Sequence, residues 1–511
     1  MGGAMRGRFH LIFVFGLLLG APADALGQPA PAATPDCPVP ADHNWTRQEQ
    51  FAWKQICSDN VADFSTEPGN QMPNVLRKDF FESILTEEKY RKALKRHGLR
   101  ITGARFTEKI DLQNIKVDVE LWFDQCRFDN DRGIDLSWLQ ASQPVGFTRS
   151  KAAGPLNFYS AQLASDLIIL DSDITTISLS GTHIGRTLDL SKSRASGMLD
   201  MPGVDIGVDL LMSEGNYNGA VNLIGAHVGH TLDIKQAKVA GELTMTNLQV
   251  GTDVRMSKTN FEAAIDLQYS QIGGEVDWSG ARFQDDVDLT RARVGGAFLL
   301  NADDNNDPAT WAPQVTLTAR YAKFAVIPSW SAAWPRKLDV VGLSYDGIDG
   351  VDGDFHRWFR RQDYSRQPYE QLAGVLQNEG EIELATSVRF AERDRDRWRS
   401  YSDRNVGVAI WLTMLWAVIG YGYYPYVALI WVIFFVALGV FVLRRSGEGP
   451  RNGMPYGYSY SFDMLLPIIQ LRPSHYDIDL KGRARYYFYV HKIIGWALAS
   501  FLVAGLAGLT K

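Results

Sequence analysis

Leu190, Met201, Met212, Leu223, Ile234, Met245, Met256, Leu267, Trp278, Leu289 and Leu300 stand eleven residues apart without a slip, and nothing else in the chain restricts its fold as strongly. One unit, Ile265 to Glu275, reads apolar, Asp or polar, apolar, two free positions, a small residue, a free position, Val or Ile, then often Gly-Gly or Ala-Gly. Unit positions 1 and 3 lie one strand period apart and point the same way, and positions 6 and 8 repeat this on a second side. Glycine at positions 9 and 10 suits a corner with positive φ. Each unit is thus two short sides, and two units make a 22-residue, four-sided coil, about nine of which fill Ile101 to Leu300. A helical eleven-residue repeat would need i, i+3, i+4, i+7 apolar spacing and would not tolerate glycine in nearly every unit. The chain is therefore mainly β, a repeat solenoid.

The five-and-six rhythm, with Leu-Asp-Leu and Ala-x-Val-Gly, resembles a degenerate pentapeptide repeat, which implies a right-handed quadrilateral β-helix. More closely, Gly98-Leu-Arg-Ile-Thr-Gly-Ala-Arg105, Leu338-Asp-Val-Val-Gly-Leu-Ser-Tyr345, Gln367-Pro-Tyr-Glu-Gln-Leu-Ala373 and Gly420-Tyr-Gly-Tyr-Tyr-Pro425 are similar to segments of uncharacterised bacterial membrane proteins often labelled membrane-associated oxidoreductase. The resemblance covers nearly the whole chain. It implies fold and topology and brings no catalytic residues.

At 511 residues the chain exceeds one compact core. Arg6 and Arg8, the apolar run Leu11 to Gly20 and Ala23-Asp-Ala25 predict a secretory signal peptide over residues 1–25, with an uncleaved anchor as the competing reading. A Pro/Ala-rich linker occupies 26–43. Export places Cys37 and Cys57 where they could pair as a disulfide and leaves Cys126 as a small buried apolar residue. Apolar stripes from Trp45 to Ile56 and from Phe80 to Leu85 predict a helical cap over 44–97, which a solenoid needs to cover its end coil. The repeat domain runs from 98 to 348, interrupted by the turn-like Asn301 to Trp311.

Residues 349–404 read as an α-helical hairpin ending in Arg393-Asp-Arg-Asp-Arg-Trp-Arg399, a run expected to be solvated, with contact to lipid phosphates as the alternative. Residues 405–511 form a transmembrane region with spans near 425–443 and 489–509, and Val406 to Ile419 is a short apolar stretch read as an interfacial or partly embedded helix, with a third span as the competing reading. Arg444, Arg445, Arg451, Arg472, Lys481, Arg483 and Arg485 lie between the spans. The positive-inside rule then puts that connection in the cytoplasm and the solenoid in the periplasm, anchored to the bacterial inner membrane.

Few residues point to chemistry. His183, His227 and His230 fall on outward positions, and coils two apart are too distant for two imidazoles to share one ion. The recurring Asp189, Asp200, Asp233, Asp266, Asp277 and Asp288 fit outward stacking, and Asp303 to Asp307 lacks the EF-hand spacing. No G-x-G-x-x-G, G-x-S-x-G, H-E-x-x-H or P-loop occurs, so no enzyme, cofactor or metal is expected. A net charge of −6 and a pI near 5.9 give no sign of a nucleic-acid partner, whose phosphates would need clustered Lys and Arg. The expected function is a binding or assembly platform for a protein or envelope polymer, tethered in the lipid bilayer. The alternative is a transport or degenerate two-helix channel-like module, because Tyr458 to Leu471 sits between the spans like a pore segment, although it lacks a Thr-Val-Gly-Tyr-Gly filter. Asp463 is the candidate functional residue in that reading, since an acid at membrane depth is by default functional; a helix-cap role competes.

Overall fold

The computed structural model describes residues 37, 44–65, 74–95, 97–300, 308–350, 355–454, 456–466 and 469–507. The signal-peptide residues, nearly all of the linker and Asn301–Asp307 lie outside them.

The repeat winds into a parallel solenoid with four faces. The first begins with Leu99–Thr102, the second with Arg105–Phe106, the third with Ile110–Asp111 and the fourth with Lys116–Val117. On the first face Leu188 pairs with Leu210 and Leu210 with Leu232, 22 residues apart, so two eleven-residue units make one coil. The third face carries eleven strands among the described residues, because it continues beyond Leu300 through Thr316–Thr318 and Lys337–Asp339. Each coil donates to the next: the Leu190 N–H reaches the Leu211 carbonyl at 2.7 Å and the Met212 N–H that of Asp233 at 2.7 Å.

Unit positions 1, 3, 6 and 8 all point inward. Ile265, Leu267, Ser270 and Ile272 are buried, as are Leu232, Ile234, Ala237 and Val239. Full burial of one such aliphatic side chain stabilises by about 1.5–3 kcal/mol. Aromatic residues stack at the coil spacing, with ring centroids 4.8 Å apart for Phe106 and Phe128 and 5.1 Å for Phe123 and Phe147.

The corners correct one expectation. Positive φ falls at unit position 5, not at 9 or 10, and most position-5 residues are not glycine: Lys192, Glu214, Gln236, Asn247, Lys258 and Tyr269 all adopt it. The turn is closed by the position-6 N–H donating to the position-3 carbonyl, as Ala226 does to Leu223 at 3.1 Å. Glycines at position 9 serve a different need. A Cβ on Gly229 would lie 2.1 Å from the Gly207 carbonyl oxygen, and one on Gly251 would lie 1.9 Å from that of Gly229. Stacked corners approach too closely there for any side chain.

The recurring Asp at position 2 also has a local cause. Asp233 accepts the Lys235 N–H at 3.0 Å and Asp277 the Ser279 N–H at 2.9 Å, each bond fixing the corner two residues on. Cys126 is buried at position 6, where the following coils place Ser150, Ser172 and Ser193. Burial pushes its thiol up to about 12, which keeps it protonated and inert.

Helices close both ends. α1 (Arg47–Cys57) starts with a capping box between Thr46 and Glu49, followed by α2 (Lys78–Thr86) and α3 (Glu88–Arg91). Phe81 of α2 inserts against Phe106 and Phe123, ring centroids 5.9 and 5.4 Å away. Ala62–Asp63 pairs with Ile101–Thr102 and so covers the first strand edge. Cys37 and Cys57 form a disulfide with Cα atoms 5.8 Å apart. At the far end α4 (Gln367–Asn378) covers the last coil, where Gln367 accepts the Gly342 N–H at 2.8 Å and donates to the Leu343 carbonyl at 2.9 Å.

α5 (Ile382–Ser402) contains the charged run, which is only partly a solvated face: Arg399 is exposed and Arg397 is buried. Arg395 donates to the Phe359 carbonyl at 2.6 Å, and the buried Arg397 pairs with Asp394 and lies over the Trp416 ring, 4.6 Å from its centroid. Arg395 and Arg397 turn inward, one to the cap of the rod and the other to Trp416, because this helix joins the capped rod to the helices after it. α6 (Val406–Ile419), 14 residues long, extends about 21 Å at 1.5 Å per residue, short of a bilayer core.

α7 (Val427–Ser446) and α10 (Arg483–Leu506) are long and apolar enough to cross a membrane. Ile433 and Phe441 on α7 and Ile493 and Val503 on α10 are exposed, as lipid-facing side chains would be. Between them, after the short α8 (Glu448–Arg451), α9 (Tyr458–Leu465) wedges in. Ser461 donates to the Val436 carbonyl at 3.0 Å, and its own carbonyl accepts from His491 Nε2 at 2.9 Å. Gly439 and Gly495 permit this, since a Cβ would fall 2.1 Å from Ser461 Oγ and 1.8 Å from the Leu465 carbonyl oxygen respectively.

Candidate functional site

The first four strands of the first face, Leu99–Thr102, Leu121–Asp124, Val145–Thr148 and Leu167–Leu170, are four residues long, whereas the next strands on that face shorten to two. This broad section holds a groove of about 710 Å³, within the about 300–1,000 Å³ usual for ligand sites. Side chains alternate along each strand, so Leu121 and Phe123 go to the core while Trp122 and Asp124 face out. One coil later the position facing out is Gly146. A Cβ there would sit 2.3 Å from Trp122 Cε3, so the indole lies directly over the glycine backbone.

Two ion pairs flank the ring. Arg100 reaches Glu120 through Nε at 3.0 Å and Nη2 at 2.5 Å, and Arg149 holds both Asp124 oxygens, at 2.9 and 2.5 Å. Thr148 Oγ1 donates to Asp124 at 2.8 Å. Burial acts to raise the Asp124 carboxyl, but the bonds from Arg149, Thr148 and Gln125 outweigh it and hold it below the ordinary carboxylate value. The groove is thus a flat aromatic floor between fixed donors and acceptors.

A second groove of about 560 Å³ runs along the fourth face. His227, Gln249, Gln271, Arg293 and Lys323 line it over Gly251, Gly273 and Gly295. His183 and His227 stack two coils apart with Asp205 between them, and His183 Nδ1 lies 2.8 Å from Asp205. No group of three or more His, Cys, Asp or Glu able to hold a metal occurs among the described residues. Asp303 to Asp307 lie outside them.

Asp463 is buried in α9. It accepts the backbone N–H groups of Leu471 at 2.9 Å and Arg472 at 3.2 Å, and lies 2.9 Å from His475 Nδ1. Donors from one loop converge on it, which is the geometry of a latch holding that loop to α9.

Sequence reasoning missed Trp122 because the eleven-residue register is regular only from Leu188 onward. Leu121 pairs with Val145, 24 residues on, and Leu167 with Leu188, 21 on, so the groove coils fall out of alignment. The available signal was a tryptophan at an outward position followed, one coil on, by a glycine. Comparison with family models, curated proteins and solved structures found no match to the chain.

Proposed function

We propose that this chain is a membrane-anchored, non-enzymatic binding platform of the bacterial inner membrane, with a pentapeptide-repeat-like rod on the periplasmic side. The observation that carries this reading is the groove around Trp122, where polar side chains are already locked in ion pairs and an aromatic ring is held flat. Preorganised side chains lower the entropic cost of binding. Two apolar helices supply the tether. The arginines between them favour a cytoplasmic connection, and the disulfide at the N-terminal cap suits an oxidising compartment.

The native cysteines make topology simple to test, because two are joined and Cys126 is buried. In cells with a permeabilised outer membrane, a membrane-impermeant maleimide should label Asn222→Cys on the rod and leave Asn452→Cys between the spans unlabelled until the inner membrane is opened. The reverse pattern would place the rod in the cytoplasm and sink the reading. Photo-crosslinkers at Thr102 and Leu170 on the groove rim should trap a partner in membranes.

A further inference from the structure

We infer that the Trp122 groove is a saccharide-binding site that takes a neutral glycan chain, a reading that deepens the platform function and rests on it. The first ground is shape. The indole lies flat on Gly146, and the lining of the open groove, from Arg100 to Lys192, is drawn from five successive coils. A pyranose ring has an apolar C–H face that stacks on such a platform and a rim of hydroxyl groups that does not.

The second ground is the rim. Arg100, Arg149 and Lys192 are matched by Glu120, Asp124 and Asp171, three positive and three negative groups around one cavity. Each arginine is held by a carboxylate at 2.5 Å, so the groove presents alternating donors and acceptors with no excess of either charge. A sugar hydroxyl both donates and accepts and can bridge such neighbours. An anionic polymer needs a cluster of unpaired cations, whereas both arginines here are taken by carboxylates and Lys192 alone is loosely held, 3.8 Å from Glu214. A peptide adding as an extra strand needs a free edge, and here the strands are hydrogen-bonded on both sides, as Val145–Thr148 is to Leu121–Asp124 and to Leu167–Leu170. A lipid tail would desolvate the two ion pairs with nothing to replace water.

The test uses the full chain in detergent micelles and an array of neutral hexose and N-acetylhexosamine oligosaccharides, with uronate oligosaccharides as the acidic arm. Binding of at least one neutral glycan is expected, with a shift in tryptophan fluorescence, and Trp122→Ala should weaken it by at least about tenfold. Gly146→Val should weaken it similarly while keeping the tryptophan, because its side chain displaces the ring. Trp138→Ala, which removes an exposed tryptophan from another corner of the rod, should leave binding unchanged. Circular dichroism of each variant checks folding. No neutral binder, tighter binding in the acidic arm, or binding indifferent to Trp122 and Gly146 would each overturn the inference. If glycans fail while crosslinkers on the groove rim still trap a protein, the saccharide reading falls and the platform stands; if both fail, both fall.

Discussion

The rod and the helical region that follows it are stabilised in opposite ways. In the rod, the contact made at one coil is made again 22 residues later: the Gly229 corner sits on Gly207, Gly251 on Gly229 and Gly273 on Gly251. In the helical region each contact occurs once, as in Arg395 on the Phe359 carbonyl, Ser461 between Val436 and His491, or Gly495 against Leu465. Repetition makes the rod tolerant where a position only faces solvent and unforgiving where backbones touch. Singular contacts concentrate their effect at one place.

The sharpest break point is therefore a pair of glycines within the rod. Gly225 has a φ of +64° and open space within 4 Å of where a Cβ would stand, whereas a Cβ on Gly251 would meet a carbonyl oxygen at 1.9 Å. Gly251→Ala is expected to destabilise by about 3 kcal/mol, since backbone must move in a stacked corner. Gly225→Ala should cost only about 1 kcal/mol, the ordinary penalty of a left-handed residue, which Lys192 and Gln236 already bear at the same unit position. Urea unfolding followed by circular dichroism reads both. Equal costs, or the opposite order, would mean that positive φ and not coil approach is the reason for glycine.

At the N-terminal end the cap contributes a singular contact. Glu49 is buried and takes Arg77 through Nε at 2.9 Å and Nη2 at 2.7 Å, while the Thr46 N–H donates to it at 2.7 Å. Glu49→Ala removes the capping box and the charge-assisted bonds to the part-exposed Arg77, and is expected to cost about 2 kcal/mol at pH 7. Burial acts to raise the Glu49 carboxyl, but the bonds from Arg77 and Thr46 outweigh it, and its pKa lies below the ordinary 4.5. A depressed folded pKa gives stability that is complete above about pH 4.5 and fades as pH falls through the folded value. The gap between native chain and variant should thus shrink between pH 7 and pH 3. A constant gap would assign the effect to packing around α1.

How far the sequence could be read follows the same division. The inward positions, the 22-residue coil and the two apolar helices were legible because period and hydropathy are averaged over many residues, from Leu190 to Leu300 and from Val427 to Ser446. The inward turn of Arg395 and Arg397 was not, because a run of charges on a helix gives no sign of which members meet carbonyls or a Trp416 ring from distant segments. The function of Asp463 was open for the same reason: its partners Leu471, Arg472 and His475 come from a loop without periodicity. Trp122 lay within the repeat but in a coil 24 residues long, from Leu121 to Val145, which breaks the register that identifies outward positions.

The smallest expected effect tests what the aspartate row is for. If Asp277 matters because it accepts the Ser279 N–H at 2.9 Å, then Asp277→Ala should cost about 1 kcal/mol, the usual net worth of one hydrogen bond. Asp277→Asn should cost close to nothing, since the rod already places asparagine at that unit position: Asn157 accepts the Tyr159 N–H and Asn222 the Ile224 N–H, both at 3.1 Å. A cation ladder would behave otherwise. Removing one negative charge would then cost as much in the asparagine variant as in the alanine variant, and millimolar calcium would raise the unfolding midpoint of the native chain and not of Asp277→Asn. Because the turn bond is local and repeated, its loss should stay within one corner, and hydrogen exchange should rise at Ser279 and its immediate neighbours while coils two or more away keep their protection.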